Sequence, residues 1–344
     1  MREMKKLVVG VPLEMMSNEG RIPLLPSTVV KLRSYLAEQG ISLGFIVQSG
    51  LGGTIGFEDG DWSQNGIIML QREKLFEWSD IILQVKQPTA KDVEFYREGQ
   101  GSLCFHHTAA NRAVVDELLK KGICIMPREY HRPSLSAMSK EAGRRVVDVL
   151  TSCYPRADEW LRENIFIAGA RGVVGQHAIN SLISAGVDER KIYKCDVRQE
   201  IFISPETGRE YWTFSSEDRF NFHPSLENCK ILILAAASKS GAPKIIKREH
   251  LKLLQNGTFI LQVAIDEGGN IDVPDFSKVT YWSNPVYPVR VGGKGFFVCN
   301  ISNLPGCIRP GDSSVALDEA SYGYYCEILS AWPNVPEKYL FKRF

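Results

Sequence analysis

The chain carries almost no excess charge. Its 41 Lys and Arg offset 40 Asp and Glu, leaving a formal net charge of +1 over 344 residues. The two signs are well mixed, so nothing electrostatic points to nucleic acid or to a membrane surface as a partner. No apolar run approaches the ~20 residues that span a bilayer. The opening stretch MREMKKLVVGVPLEMMSNEG is basic, but its apolar part is short and no small-residue cleavage site follows. It reads as the first β-strand of a cytoplasmic protein. No C-x-x-C occurs: the eight cysteines, at 104, 124, 153, 195, 229, 299, 307 and 326, are scattered. That excludes a zinc ribbon or a redox pair from the expectation, and most of them sit beside apolar runs as buried thiols do. His131, His177, His223 and His250 have no partner at metal-ligand spacing. They are read as structural, and no metal is expected. Internal repeats and low-complexity linkers are also missing.

What is present is alternation. The apolar fraction, 44%, is that of an ordinary globular protein, and 344 residues suffice for two domains. Strand-like runs appear at KKLVVGVP, LGFIVQSG, DIILQVK, GSLCFHH and GICIMP, and helical runs at PSTVVKLRSYLAEQG, QREKLFEW and NRAVVDELLKKG lie among them. This predicts an α/β fold with mostly parallel sheets. A first domain covers residues 1 to about 135, and a second begins near Glu163 with further strands at CKILILAAAS, GTFILQVAID and TYWSNP. The helical stretch SLSAMSKEAGRRVVDVLTSCY joins them, and SVALDEASYGYYCEILSAW is expected to pack back on the first domain.

The most informative stretch is ENIFIAGARGVVGQHAINSLISAGVDERKIYKCD, which reads as strand, turn, helix and strand. Gly169, Gly172 and Gly175 are spaced G-x-x-G-x-x-G. Such glycines allow a tight turn and a close approach to a pyrophosphate at a helix N-terminus. Asp196 lies 21 residues past Gly175, where an acid would bind the ribose hydroxyls of a dinucleotide. A bare glycine turn also occurs in α/β domains that hold no cofactor. The flanking strand, the helix and Asp196 favour a cofactor site.

In open α/β folds, ligands bind outside the carboxyl ends of the strands. By that rule Lys86 ends IILQVK, His107 ends SLCFHH, Asp266 ends TFILQVAID, and Arg21 lies in the loop after the first strand. All four would face a cleft between the domains. Arg21 and Lys86 suit an anionic substrate such as a carboxylate, and lysine can polarise a carbonyl oxygen. His107 can move a proton near neutral pH. Its neighbour His106 would point to the opposite face of a regular strand.

Six segments, taken in order, resemble the alanine dehydrogenase group, which includes the transhydrogenase nucleotide-binding subunit and lysine-forming saccharopine dehydrogenase. They are VPLEMMSNEGRIPLLPST, QVKQP, FHHTAANR, AMSKEAGR, QVAIDEGGNID and FFVCNISNLPGCIRPGDSS. The resemblance implies two Rossmann-like domains flanking the cleft. Residues 1–136 plus 307–344 would form a discontinuous substrate domain, and 137–306 the NAD(P)-binding domain. It implies interconversion of an amino acid and a 2-oxo acid through an imine. Arg21, Lys86 and Met138 would bind substrate. His107 would be the acid–base residue, and Lys86 and Asp266 would assist catalysis. The implied cofactor set is Gly169, Arg171, Gly172, Val173 and Val174 in the turn, Asp196 and Arg198 after the second strand, and Ser139, Ala237, Ile265 and Asn303.

The chain also departs from alanine dehydrogenases. RVVDVLTSCYPRADEWLREN is short and lacks their glycines, GARGVVG is closer to the saccharopine dehydrogenase turn, and RQEIFISPETGREYWTFSSEDRF looks like an insertion. These differences suggest a relative that joins a 2-oxo acid to an amine, with saccharopine-type or N-(carboxyalkyl) amino acid products such as carboxyethylornithine. Asp196 favours NAD(H), whereas Arg171 and Arg198 would suit the 2′-phosphate of NADP(H). A second reading is a dinucleotide-binding redox sensor or transhydrogenase-like subunit without its own substrate chemistry. A homo-oligomer acting on small molecules is expected.

Overall fold

The computed structural model describes residues 4–108, 111–203, 208, 210–238 and 241–341, except the side chains of Asp158 and Arg219. Positions 109–110 of FHHTAANR and 204–207 and 209 of the expected insertion lie outside the described residues. The chain divides into two compact units, residues 1–138 with 309–344 and residues 139–308.

Unit 1 is a six-stranded sheet of β1 (Lys5–Val11), β2 (Ile41–Gln48), β3 (Ile68–Leu70), β4 (Ile81–Lys86), β5 (Gly101–Phe105) and β6 (Cys124–Pro127). The spatial order is β3-β2-β1-β4-β5-β6, and every pair is parallel. The order reverses between β1 and β4, a switch point of the kind at which open α/β sheets bind ligands. Sheets of this type need cover on both faces. Leu7, Val9, Phe45 and Ile81 pack on one side, and Ile82, Phe76, Leu118 and Ile125 on the other.

The Pro310–Ala331 helix supplies part of that cover, packing against the Pro26–Ala37 helix. It also fixes the loop after β1. Ser314 Oγ accepts from the Ile22 N–H at 3.0 Å, and Asp318 accepts from the Leu25 N–H at 3.2 Å and the Thr28 hydroxyl at 2.6 Å. The C-terminal helix thus belongs to unit 1 and anchors the segment that follows Arg21.

Unit 2 contains β7 (Ile165–Ala168), β8 (Ile192–Asp196), β9 (Glu200–Ile203), β10 (Glu210–Ser215), β11 (Ile231–Leu234), β12 (Thr258–Gln262), β13 (Val286–Val291) and β14 (Lys294–Cys299). Their order is β13-β14-β12-β11-β7-β8-β10-β9. The interior pairs are parallel, and only the outermost pair at each end is antiparallel. The switch point lies between β7 and β11. The stretch RQEIFISPETGREYWTFSSEDRF supplies β9 and β10, which extend the sheet beyond β8.

One strand was misplaced by sequence. TYWSNP forms only isolated bridges, Thr280 with Ile301 and Tyr281 with Asn284. The real strands follow as the hairpin β13–β14, turned at Gly292 and Gly293, whose φ values of 59° and 81° suit a two-residue hairpin turn. No helix among the described residues is long and apolar enough to cross a membrane.

Candidate active site

In unit 1 the carboxyl ends of β1 and β4 bring two acids beneath the predicted cations. Glu14, just beyond β1, accepts from the Val85 N–H at 2.6 Å and the Lys86 N–H at 3.2 Å. This clamps the end of β4, where the register with β5 shifts between Leu83 and Lys86. Such a shift re-aims a side chain. Arg21 is 4% exposed, so its charge needs a partner, and Glu19 provides one. Arg21 Nε donates to Glu19 Oε1 at 2.7 Å, a second contact joins Nη2 to Oε2, and Nη1 lies 2.9 Å from the Met138 sulfur. Met138 itself is buried with Val85, Phe105 and Leu317. Arg21 and Met138 are therefore in contact, with the guanidinium plane fixed by Glu19.

Both histidines depart from the expected strand. β5 ends at Phe105, so neither extends it. His106 is fully buried, 3.0 Å from the Ser102 hydroxyl and 3.1 Å from the Cys104 carbonyl. Burial pulls its pKa down to about 3, which keeps it neutral in the working range. His107 adopts φ 47°, a left-handed conformation uncommon for a side-chain-bearing residue. Glu129 enforces that turn by accepting from the His106 N–H at 3.0 Å and the Thr108 N–H at 3.2 Å. Asn111 closes it from the other side, its Nδ2 donating to the His106 carbonyl at 3.0 Å. The result puts His107 Nε2 3.5 Å from Lys86 Nζ. Lys86 and His107 are thus brought together, each from a backbone held by a buried or half-buried carboxylate.

Burial, and then the nearby Glu19 charge, push the Glu14 carboxyl up to about 8, against the pull of the Val85 and Lys86 N–H groups and of Arg21. The folded state therefore holds this proton more tightly than the unfolded chain. The associated stability is full below the unfolded value of 4.5 and is lost as pH rises towards about 8. A Glu14→Gln variant should show a flatter fall in Tm between pH 5 and 8 than the parent, measured by thermal unfolding across that range. An unchanged slope would assign the fall to other groups.

In unit 2 the glycine turn follows β7. Gly169 has φ 79°, and a Cβ there would meet the Ala236 backbone at 2.8 Å. Gly172 caps the Val173–Ser184 helix, whose first residues are Val173 and Val174. A Cβ on Gly175 would lie 2.1 Å from the Gly169 carbonyl. Backbone this close leaves a concave cradle at a helix N-terminus, suited to a pyrophosphate. Gly175→Val should therefore cost about 1–3 kcal/mol of stability through overpacking and weaken dinucleotide binding. Thermal unfolding and cofactor titration check both; a variant equal to the parent in each would show that the turn tolerates the side chain. Gly143, on the Arg132–Cys153 helix, makes a similar approach, since its Cβ would meet the Val174 carbonyl at 2.4 Å.

Asp196, at the end of β8, accepts from the Arg171 N–H at 2.8 Å and the Val197 N–H at 2.8 Å. A carboxylate has about four acceptor positions, so these bonds leave capacity for ribose hydroxyls. The Arg171 guanidinium is paired with Glu200 and lies 5.4 Å from the Phe202 ring centroid. Arg198 is exposed. The residues present fit a dinucleotide: a glycine cradle, a helix start and an acid after the second strand.

Asp266 does not end a strand. β12 stops at Gln262, and Asp266 sits in a short helical turn that the left-handed Gly268 (φ 99°) terminates. Its Oδ1 accepts from the Ser302 hydroxyl at 2.6 Å and its Oδ2 from the Asn303 N–H at 2.9 Å. Asn303 has φ 60°, so Asp266 holds a left-handed loop residue in place. Asp266 belongs to unit 2, whereas Arg21, Lys86 and His107 belong to unit 1. Ile265 is buried in the Asp266 turn, Ala237 follows β11 in an exposed loop, and Ser139 is half-buried on the Arg132–Cys153 helix.

Sequence reading passed over Glu14, Glu19, Glu129 and Glu200. Glu14 was within reach, because it follows β1 where the strand-end rule applies.

The chain matches the models for the N-terminal domain of alanine dehydrogenase/PNT over residues 10–142 and the C-terminal domain over residues 159–335. It is 25% identical to an alanine dehydrogenase of Methanococcus maripaludis, over 94% of this chain and 87% of that one. It is 29% identical to an alanine dehydrogenase of Halomonas elongata, over 87% of this chain and 82% of the relative. Among solved structures, a transhydrogenase from Sinorhizobium meliloti superposes with a TM-score of 0.73 at 21% identity, covering 94% of each chain. At that identity the likeness speaks for the fold. The two domain matches together span most of the chain, and the chain belongs to the alanine dehydrogenase/PNT family.

Proposed function

We propose that the chain is a nicotinamide-dinucleotide-dependent oxidoreductase acting on the CH–NH or CH–NH2 bond of an amino acid, which it interconverts with a 2-oxo acid and an amine. The observation that carries this reading is the Lys86–His107 pair, 3.5 Å apart, in the same unit as the buried Arg21. A lysine next to an imidazole can polarise a carbonyl and relay the proton that its conversion requires. The relatives named alanine dehydrogenase support the same class.

Arg21, oriented by Glu19, faces the substrate carboxylate with a planar cation. Lys86 Nζ donates to the 2-oxo oxygen and draws charge from the carbonyl carbon as the amine nitrogen attacks. His107 Nε2 delivers the proton with which that oxygen leaves as water, and it handles the proton again in the reverse direction. Met138 packs beside the Arg21 guanidinium and limits the room near the carboxylate. When bound, the nicotinamide supplies or accepts the hydride at the carbon bearing nitrogen. Gly169, Gly172, Val173 and Val174 would hold its pyrophosphate and Asp196 a ribose. Arg171, Arg198, Ser139, Ala237, Ile265 and Asn303 would border the dinucleotide, and Asp266 would fix Asn303. NAD(H) is the favoured cofactor, because Asp196 repels a 2′-phosphate. The eight free cysteines suit a reducing compartment, the cytoplasm.

In the finer reading the amine is itself an amino acid and the product is of the N-(carboxyalkyl) or saccharopine type. NADH and NADPH oxidation with pyruvate, glyoxylate and 2-oxoglutarate, each with ammonia and then with lysine or ornithine, tests both levels. Turnover that requires an oxo acid and an amine together is expected. Turnover with ammonia alone would replace the finer reading with a primary amino acid dehydrogenase. No amine dependence anywhere in the panel would contradict the class.

A further inference from the structure

β9 and β10 bring a residue to the dinucleotide turn that the glycine pattern does not foreshadow. Glu200 opens β9, and Phe202 follows two residues later on the same face. Both meet Arg171: Glu200 as its ion-pair partner, Phe202 as a ring beside the guanidinium. The next residues of the strand, Ile201 and Ile203, alternate with them and are exposed. Thr213 of β10 pins this edge, its hydroxyl lying 3.0 Å from the Arg198 carbonyl and 3.2 Å from the Glu200 carbonyl. Arg171 is also tied to Asp196, because its N–H donates to the Asp196 carboxylate at 2.8 Å. One arginine thus stands between two acids, its backbone on Asp196 and its side chain on Glu200.

A dinucleotide with a 2′-phosphate places that group beside the acid that otherwise receives the ribose hydroxyls, and a nearby arginine is what accommodates it. Of the two arginines that the sequence offers, Arg198 is exposed and Arg171 is already committed to Glu200. The geometry points to Glu200 as a specificity-determining residue: it withholds Arg171 from a 2′-phosphate, so the turn selects NAD(H) over NADP(H). The inference rests on the dinucleotide reading of the turn and is independent of which amine or oxo acid reacts.

The test is equilibrium titration of the whole protein with NADH and NADPH, read by nicotinamide fluorescence, for the parent, Glu200→Gln and the double variant Glu200→Gln/Arg171→Ala. The parent is expected to bind NADH more tightly. In Glu200→Gln the ratio Kd(NADPH)/Kd(NADH) should fall about tenfold, the size of one charge-assisted hydrogen bond gained. In the double variant the ratio should return to within about threefold of the parent's, because the gain depends on a released Arg171. An unchanged ratio in Glu200→Gln, or a gain that survives removal of Arg171, would overturn the inference while leaving the cofactor reading intact. A parent that binds neither nucleotide would overturn both.

Discussion

Replacing His107 with Ala should lower kcat by about 10²- to 10⁴-fold, the usual worth of a positioned proton-transfer group. Dinucleotide binding should be unchanged within a factor of about two, because the residues proposed to hold the dinucleotide do not include His107. Single-turnover kinetics and cofactor titration give the two readouts. The prediction is specific to this histidine. His106, next to it in sequence, is sealed in the core with its nitrogens engaged by Ser102 and Cys104, and its pKa is drawn down to about 3 by burial. It stays neutral near pH 7, which does not suit it to acid–base work. A His106 substitution should act mainly on stability, measured as a fall in Tm. If His107→Ala keeps near-parental kcat, the acid–base assignment is wrong.

Lys86→Ala should also remove most turnover, by about 10²- to 10³-fold, as expected when a donor to a developing oxyanion is deleted. Lys86→Arg should rescue little. The lysine is a compact point charge set 3.5 Å from His107, whereas a guanidinium is planar and bulkier. The two substitutions should be far from additive, since Lys86 and His107 are in contact and are proposed to serve one proton path. Measured kcat for the two single variants and the double variant decides this. A double variant showing the full product of the single losses would mean that the residues act independently.

The place of Lys86 at the end of β4 was legible in sequence because the apolar run before it is short enough to be only a strand, whereas the choice of His107 over His106 came from the family resemblance, since β5 ends at Phe105 and carries neither. The glycine turn was legible for a related reason: close backbone approach excludes every larger side chain, so Gly169 and Gly175 mark it directly. What sequence could not convey is the bonding that aims these groups. Glu14 acts on Lys86 from 72 residues away, and Glu129 shapes the His107 turn from 23 residues away, measured to the His106 N–H. No local pattern encodes such partners. The left-handed turn at His107 is likewise a tertiary product: histidine enters that region more readily than most side chains, but the bonds from Glu129 and Asn111 are what hold it there. The hairpin β13–β14 escaped because the aromatic-rich TYWSNP looked more strand-like than the sequence after it, while Ser283, Asn284 and Pro285 favour a turn. Asp266 was read as a strand end, yet the chain leaves β12 early and uses that carboxylate to hold Ser302 and Asn303.

The central claim is that hydride passes between a nicotinamide and the carbon of an amino acid that bears nitrogen. The measurement that tests it most directly uses NADH with both hydrogens at nicotinamide C4 replaced by deuterium, with a 2-oxo acid and the amine that supports turnover, and mass analysis of the product. One deuterium at the α-carbon of an amino or N-substituted amino acid is the result predicted here. Deuterium at C2 of a 2-hydroxy acid, with the amine left unreacted, would contradict it and make the chain a dehydrogenase of alcohols.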